Sequence, residues 1–141
     1  MKTSARNQFE GEVVQLTHGA VNDEVTLRTA DGLDIVAIIT HGSAKTLGLA
    51  AGKQAFALVK ASSVIVMVDV SKDQVSARNC IAGTVTAVTT GAVNSEVTIG
   101  AGSAQIAAIV TNESVERLGL AVGQAATGIF KASSVIVGVE S

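Results

Sequence analysis

The chain is written twice. Ser4-Ala5-Arg6-Asn7 returns as Ser76-Ala77-Arg78-Asn79, and Gly19-Ala20-Val21-Asn22 returns as Gly91-Ala92-Val93-Asn94, both displaced by 72 residues. Further along the displacement is 71. Leu47-Gly48-Leu49-Ala50 matches Leu118-Gly119-Leu120-Ala121, and Lys60-Ala61-Ser62-Ser63-Val64-Ile65-Val66 matches Lys131-Ala132-Ser133-Ser134-Val135-Ile136-Val137. One residue is therefore lost between these anchors, most simply in the turn where Thr29-Ala30-Asp31-Gly32 faces Gly100-Ala101-Gly102. The duplication predicts two similar domains, 1–70 and 71–141. It also acts as a filter: polar residues kept in both copies are candidates for a duplicated function, and those present in one copy are incidental.

Units of roughly 70 residues are near the lower limit for an independent core, so further burial between units or between chains is expected. Hydrophobic residues make up 48% of the 141, but with three Phe and no Trp or Tyr. An aliphatic, β-branched interior of this kind favours sheet. A formal net charge of −2 excludes the global basic field that drives non-specific binding to nucleic acid or anionic membrane. Apolar runs such as Val64 to Val68 end at charges after a few residues, and Met1-Lys2-Thr3-Ser4 leads into polar sequence. A soluble chain with no transmembrane span or secretory signal is expected. The single cysteine, Cys80, cannot form an internal disulfide, which fits a reducing compartment.

In the first copy Phe9, Gly11, Val13 and Leu16 precede the Gly-Ala-Val-Asn turn, Val25 and Leu27 alternate with Thr26 and Arg28, Asp31-Gly32 is a tight-turn pair, and Leu33 to Thr40 is a second β-rich run. These patterns predict three consecutive antiparallel strands. A short helix follows from about Ala44 to Leu47, stopped by Gly48, with its counterpart at Glu113 to Leu118 before Gly119. Ala55 to Lys60 and Val64 to Val68 supply two more strands. The expected fold is all-β: two tandem OB-like five-stranded small barrels, each with one short helix, with a sandwich as the alternative. No proline is present, so strand edges need protection by closure or by subunit pairing.

The duplication filter removes the usual catalytic suspects. His18 faces Thr90, His41 faces Asn112 and Cys80 faces Gln8. A Cys/His nucleophile or a His-rich metal site would also need further ligands at spacings the chain does not offer; no direct metal ligands are expected. No Walker-type or Rossmann glycine motif is present. Five polar pairs pass the filter: Ser4/Ser76 with Arg6/Arg78, two apart and so on one face of an extended segment; Thr40/Thr111 with Ser43/Ser114 in a Thr-x-x-Ser pattern at the helix start; and Lys60/Lys131, which ends a strand beside small residues. Taken singly, each has an ordinary reading: Thr40 and Thr111 as N-caps, Ser-Ala-Arg-Asn as a solvated strand start, Lys60 as a surface lysine, Gly-Ala-Val-Asn as a turn that tolerates left-handed backbone. Taken together they are all donors with no carboxylate, a set that suits an anion with several equivalent acceptor oxygens.

The ordered set Ser-Ala-Arg-Asn, Gly-x-Val, Gly-Ala-Val-Asn-x-Glu-Val, Thr-x-x-Ser with Leu-Gly-Leu, and Lys-Ala-Ser-Ser-Val-Ile, present twice over nearly the whole chain, resembles the molybdate-binding domain of the molbindins. The resemblance implies a cytoplasmic two-domain molybdate-binding and storage protein, with OB-like barrels, assembly as a trimer and sites between domains. Carried over, one domain supplies Ser4 and Arg6, or Ser76 and Arg78. A neighbour supplies Thr40, Ser43, Lys60 and the Ala61 backbone, or Thr111, Ser114, Lys131 and the Ala132 backbone. Val21-Asn22 and Val93-Asn94 resemble segments that gather at the threefold axis and form further oxyanion sites there. The first copy departs in having His41-Gly42 where the second has Asn112-Glu113, and the second has the shorter turn at Gly100 to Gly102. Neither departure touches a donor, so the two site sets should be similar but unequal in affinity.

The bound ligand implied is molybdate, with tungstate poorly distinguished from it, and no cofactor. Three function classes follow: oxyanion storage and buffering, the favoured one; an oxyanion-sensing module acting through a regulator or transporter partner; and an OB-type nucleic-acid binder, opposed by the scarcity of stacking aromatics. The chain has no room for a DNA-binding or ATPase module of its own, so we expect sensing to require a partner. With no duplicated general acid or base, an enzyme is not expected.

Overall fold

The computed structural model describes residues 2–140 and is all-β, with two five-stranded antiparallel sheets and few short helices. The strands are β1 (Asn7–His18), β2 (Asn22–Thr29), β3 (Asp34–Thr40), β4 (Gln54–Val59), β5 (Ile65–Met67), β6 (Asn79–Thr90), β7 (Asn94–Ala101), β8 (Ala104–Thr111), β9 (Ala125–Phe130) and β10 (Ile136–Gly138); the helices are α1 (His41–Thr46) and α2 (Asn112–Leu118). Among the described residues no helix is long and apolar enough to cross a membrane.

The packing units differ from the sequence repeats 1–70 and 71–141. The first unit contains the chain up to Val59 together with the stretch from Lys131 onward; the second is Lys60–Phe130. Accordingly the sheets run β10-β4-β1-β2-β3 and β5-β9-β6-β7-β8. Each repeat gives its last strand to the sheet built by the other.

In the first unit the 12-residue β1 serves two neighbours. Asn7 to Glu12 pair with Val59 to Gln54 of β4, and Gly11 to His18 pair with Thr29 to Asp23 of β2. A bulge between Val13 and Gln15 lets the strand bend between them. Gly11 is required at the crossing: a Cβ there would lie 2.2 Å from the Arg28 carbonyl oxygen. Phe9, Val13, Val25, Leu27, Ile35, Ala57 and Val59 point inward and are buried, each large aliphatic side chain contributing about 1.5–3 kcal/mol. β3 packs against the 132–134 turn and touches β10, so the two edges of the sheet approach as in a barrel.

The second unit repeats this plan. β6 pairs with β9 and then with β7, with a bulge between Val85 and Ala87, and Gly83 faces the Gly100 carbonyl as Gly11 faces Arg28. The lost residue is where the sequence places it. The β2–β3 connection closes with Thr29 N–H donating to Leu33 O and Gly32 at φ +85°, whereas β7–β8 pairs Ala101 with Ala104 across Gly102 and Ser103 alone.

Candidate functional site

Thr40 leaves β3 in an extended conformation and caps α1. Its Oγ1 accepts the Ser43 N–H at 3.0 Å and lies 2.8 Å from Ser43 Oγ. Thr111 and Ser114 repeat this at 3.1 and 2.8 Å. The capping role of the threonine is therefore real, and it leaves the serine as the outward donor: Ser43 Oγ accepts from Thr40 and its own proton is free to point outward. The helices are only six and seven residues long, so these ends present hydroxyls rather than a sizeable helix dipole.

Lys60 and Lys131 each precede a single helical turn, Ala61–Ser63 and Ala132–Ser134. The buried methyls of Ala61 and Ala132 anchor these turns, and the first amides of such a turn have no partner within it. The strand exchange corrects how these residues group. Thr40 and Ser43 share the first unit with Lys131 and Ala132, whose turn packs on β3; Thr111 and Ser114 share the second with Lys60 and Ala61, whose turn packs on β8. The expected pairings, Thr40 with Lys60 and Thr111 with Lys131, followed the sequence copies and are crossed in the fold.

In the first unit an open groove is lined by Asn22, Thr40, Ser43 and Ser133, with Ile38 and Val135 among its apolar walls. Ser133, the neighbour of Ala132, was not singled out by the sequence pattern. Ser4 and Arg6 do not line this groove; they lie exposed just before β1, as Ser76 and Arg78 lie before β6. Asn22 and Asn94 close tight turns, accepting the Gly19 and Gly91 N–H at 2.9 Å. The glycines are there for space: a Cβ on Gly19 would lie 2.4 Å from the Asn22 oxygen. Val21 and Val93 stand exposed at the tips, each carbonyl accepting the first N–H of α1 or α2.

Two features escaped the sequence reading. Asn7 and Asn79 are buried and opposite Val59 and Phe130, beside the two lysines in sequence; their retention in both copies was the available signal. Asp23 is fully buried and sits between His18 and His41, with Nδ1 of His18 2.9 Å from Oδ2 and Nδ1 of His41 3.0 Å from the same oxygen. Burial raises the Asp23 pKa, and the hydrogen bonds and charge of the two imidazoles outweigh it, leaving the carboxyl below its ordinary value. The corresponding place in the second unit holds Thr90, Ser95 and Asn112, with Ser95 Oγ donating to Asn112 Oδ1. Cys80 is half-buried, its thiol 3.5 Å from the Ala77 carbonyl.

The TOBE-domain model matches residues 3–66 and 75–137, one match per repeat. The chain belongs to the TOBE-domain family. The TOBE tandem is 47% identical over 140 residues to the molybdenum transport protein ModE of Azotobacter vinelandii, covering 99% of this chain and 52% of that protein. It is 44% identical over 138 residues to the molybdenum-pterin-binding protein MopA of Rhodobacter capsulatus, covering 97% and 52%. The TOBE tandem thus spans about half the length of the curated relatives it matches. A solved structure of the cytoplasmic molybdate-binding protein ModG with molybdate bound superposes with a TM-score of 0.95 at 48% identity, covering 99% of this chain and 100% of that one.

Proposed function

We propose that this chain binds molybdate and acts as a cytoplasmic store and buffer of the oxyanion, by binding and not by catalysis. The observation that carries this is the hydroxyl pair Thr40–Ser43, repeated to within 0.1 Å as Thr111–Ser114, each beside a Lys-Ala-Ser-Ser turn. The likeness along its whole length to a structure holding molybdate supports the same ligand. In this reading Thr40, Ser43, Lys131 and the Ala132 backbone form one half of a site, and Thr111, Ser114, Lys60 and the Ala61 backbone form another. Ser4 with Arg6 and Ser76 with Arg78 complete such sites from neighbouring domains of a homotrimer. Val21-Asn22 and Val93-Asn94 contribute further oxyanion sites at its axis. Neither nucleic acid nor membrane is a partner.

Because the chain is acidic overall, affinity for a dianion comes from donors fixed in a partly dry site, where charge-assisted hydrogen bonds strengthen. A lining without carboxylates disfavours phosphate, which is partly protonated near neutral pH and brings an O–H that calls for a strong acceptor. Sulfate is fully ionised and is rejected by size, and tungstate competes with molybdate. Equilibrium dialysis with competitors from pH 6 to pH 8 tests this. Tungstate should displace molybdate at comparable concentration, and phosphate should fail in large excess. Strong displacement by phosphate at pH 6 would contradict the carboxylate-free lining and direct attention to Glu24 and Glu96. Arg6→Ala and Arg78→Ala should each weaken one class of site by about 1.5–3 kcal/mol; a double variant with unchanged stoichiometry removes both arginines from the reading.

A second reading, an oxyanion sensor acting through a partner, is favoured by the match to about half of a longer molybdenum transport protein. Retention of a regulator or transporter subunit on the immobilised chain only when molybdate is present would support it.

A further inference from the structure

We propose that the first unit holds a divalent transition-metal ion between His18, Asp23 and His41. Among the described residues this is the group of His and acidic side chains whose ligand atoms all lie within 4.8 Å of one another. The fold supplies it from three elements: His18 ends β1, Asp23 stands opposite it on β2, and His41 opens α1. Asp23 is in phase with Val25 and Leu27 on the inward face of β2, so its carboxylate is held from below and cannot swing into solvent. Both imidazoles turn the same nitrogen toward it, Nδ1 of His18 at 2.9 Å and of His41 at 3.0 and 3.1 Å from the carboxylate oxygens.

In the metal-free chain each Nδ1–H donates to the carboxylate. Those N···O separations are close to the edge of a tetrahedron with bonds of about 2.0 Å, which is about 3.3 Å. For the cation to sit at the centre, the rings shift to close the remaining ligand separation, which is within 4.8 Å. Each neutral imidazole moves its proton from Nδ1 to the exposed Nε2 through solvent, freeing the Nδ1 lone pair for the metal. The rings stand edge to face, 5.1 Å between centroids and 76° apart, and both stay more than half exposed, which leaves an approach for the ion and a fourth position for water. Two imidazoles and one carboxylate without a thiolate suit zinc, nickel, copper or cobalt, and lack the oxygens that calcium or magnesium require.

The second unit is the internal control. It places Thr90, Ser95 and Asn112 at the three positions, and the Asn112 amide donates to the Gly91 carbonyl at 2.9 Å. The turn tip is held to the helix start in both units, by His41 N–H to Val21 O at 3.1 Å and Asn112 N–H to Val93 O at 2.9 Å. A neutral trio thus suffices for this fold, and the charged trio in the first unit adds a ligand set that folding does not require. The duplication filter sets both histidines aside because neither recurs in the other copy, and the sequence spacing shows no further ligand; the fold brings Asp23 between them.

The test uses zinc chloride on the untagged full chain, stripped of metal with a chelator. Wild type should take up one more zinc per chain than the His18→Thr/His41→Asn variant, which installs the second unit's side chains. The affinity of this site should fall at least about tenfold on loss of either histidine. Zinc should raise the melting temperature of wild type only, and cobalt(II) should give the visible absorption of a four-coordinate site in wild type only. Circular dichroism checks folding, and should the double variant melt early, the size-preserving His18→Gln serves the same comparison. Equal zinc uptake by wild type and variant overturns the proposal. Because the probe is a cation without oxyanion, the result is independent of molybdate binding.

Discussion

Asp23 occupies a core-facing position of β2 and its counterpart in β7 is Ser95, so one repeat carries there a charge that the other does without. Its carboxyl lies below the ordinary 3.8 because, although burial opposes ionisation, the two imidazoles outweigh it. A depressed folded pKa means the contribution to stability is fully present above about 3.8 and is lost as pH falls through the lower folded value. Asp34 has the same sign, its pKa lowered first by the Arg28 hydrogen bonds at 2.7 and 2.9 Å. Urea midpoints measured from pH 5 down to pH 2.5 should therefore fall more steeply for wild type than for the Asp23→Ser/His18→Thr/His41→Asn variant. Parallel curves would show that the trio adds nothing to acid lability. The candidate donors stand out in the sequence because they recur in both copies, whereas Asp23 does not, since only its phase with Val25 and Leu27 marks it as inward and a charged residue at such a position reads as a strand edge.

At the level of elements, alternation and turn residues locate the five strands of the first copy and the duplication carries them to the second, and the helices begin a little earlier than expected because Thr40 and Thr111 cap them directly. The exchange of β5 and β10 was hidden for a physical reason: Lys60 to Val66 and Lys131 to Val137 are identical, so both fit either sheet until the next residue. There the copies differ, Met67 against Gly138, and so do their partners, Thr127 opposite Met67 and Phe56 opposite Gly138. A Cβ on Gly138 would lie 2.3 Å from Phe56 Cζ. Without exchange Met67 would meet Phe56 and Gly138 would leave a gap beside Thr127. Gly138→Met should therefore cost about 1–3 kcal/mol by overpacking, and adding Phe56→Thr, which recreates the second unit's pair, should recover most of it. Denaturant unfolding of the double-mutant cycle reads the coupling, and additive losses would mean that this pair does not choose the strand.

Across the whole molecule, the same aliphatic positions stay uncovered in both copies: Val21 at 73% exposure and Val93 at 71%, Ile65 at 61% and Ile136 at 59%. A lone exposed valine or isoleucine is ordinary, but repetition at equivalent positions at similar exposure is what a symmetric assembly produces when it uses each repeat in the same way. Small units with aliphatic cores also gain most from such burial. The proposed trimer accounts for both, and for Ser4 and Arg6 lying away from the groove that Thr40, Ser43 and Ser133 line. Sedimentation velocity should give three times the chain mass for wild type at micromolar concentration. Val21→Lys/Val93→Lys, a pair of substitutions at exposed turn tips that leaves each core intact, should shift the chain toward monomer and lower molybdate stoichiometry at the same time, because a site completed by a neighbour cannot survive its loss. A stable wild-type monomer that binds molybdate at full stoichiometry would refute shared sites and require each unit to enclose the oxyanion with its own donors.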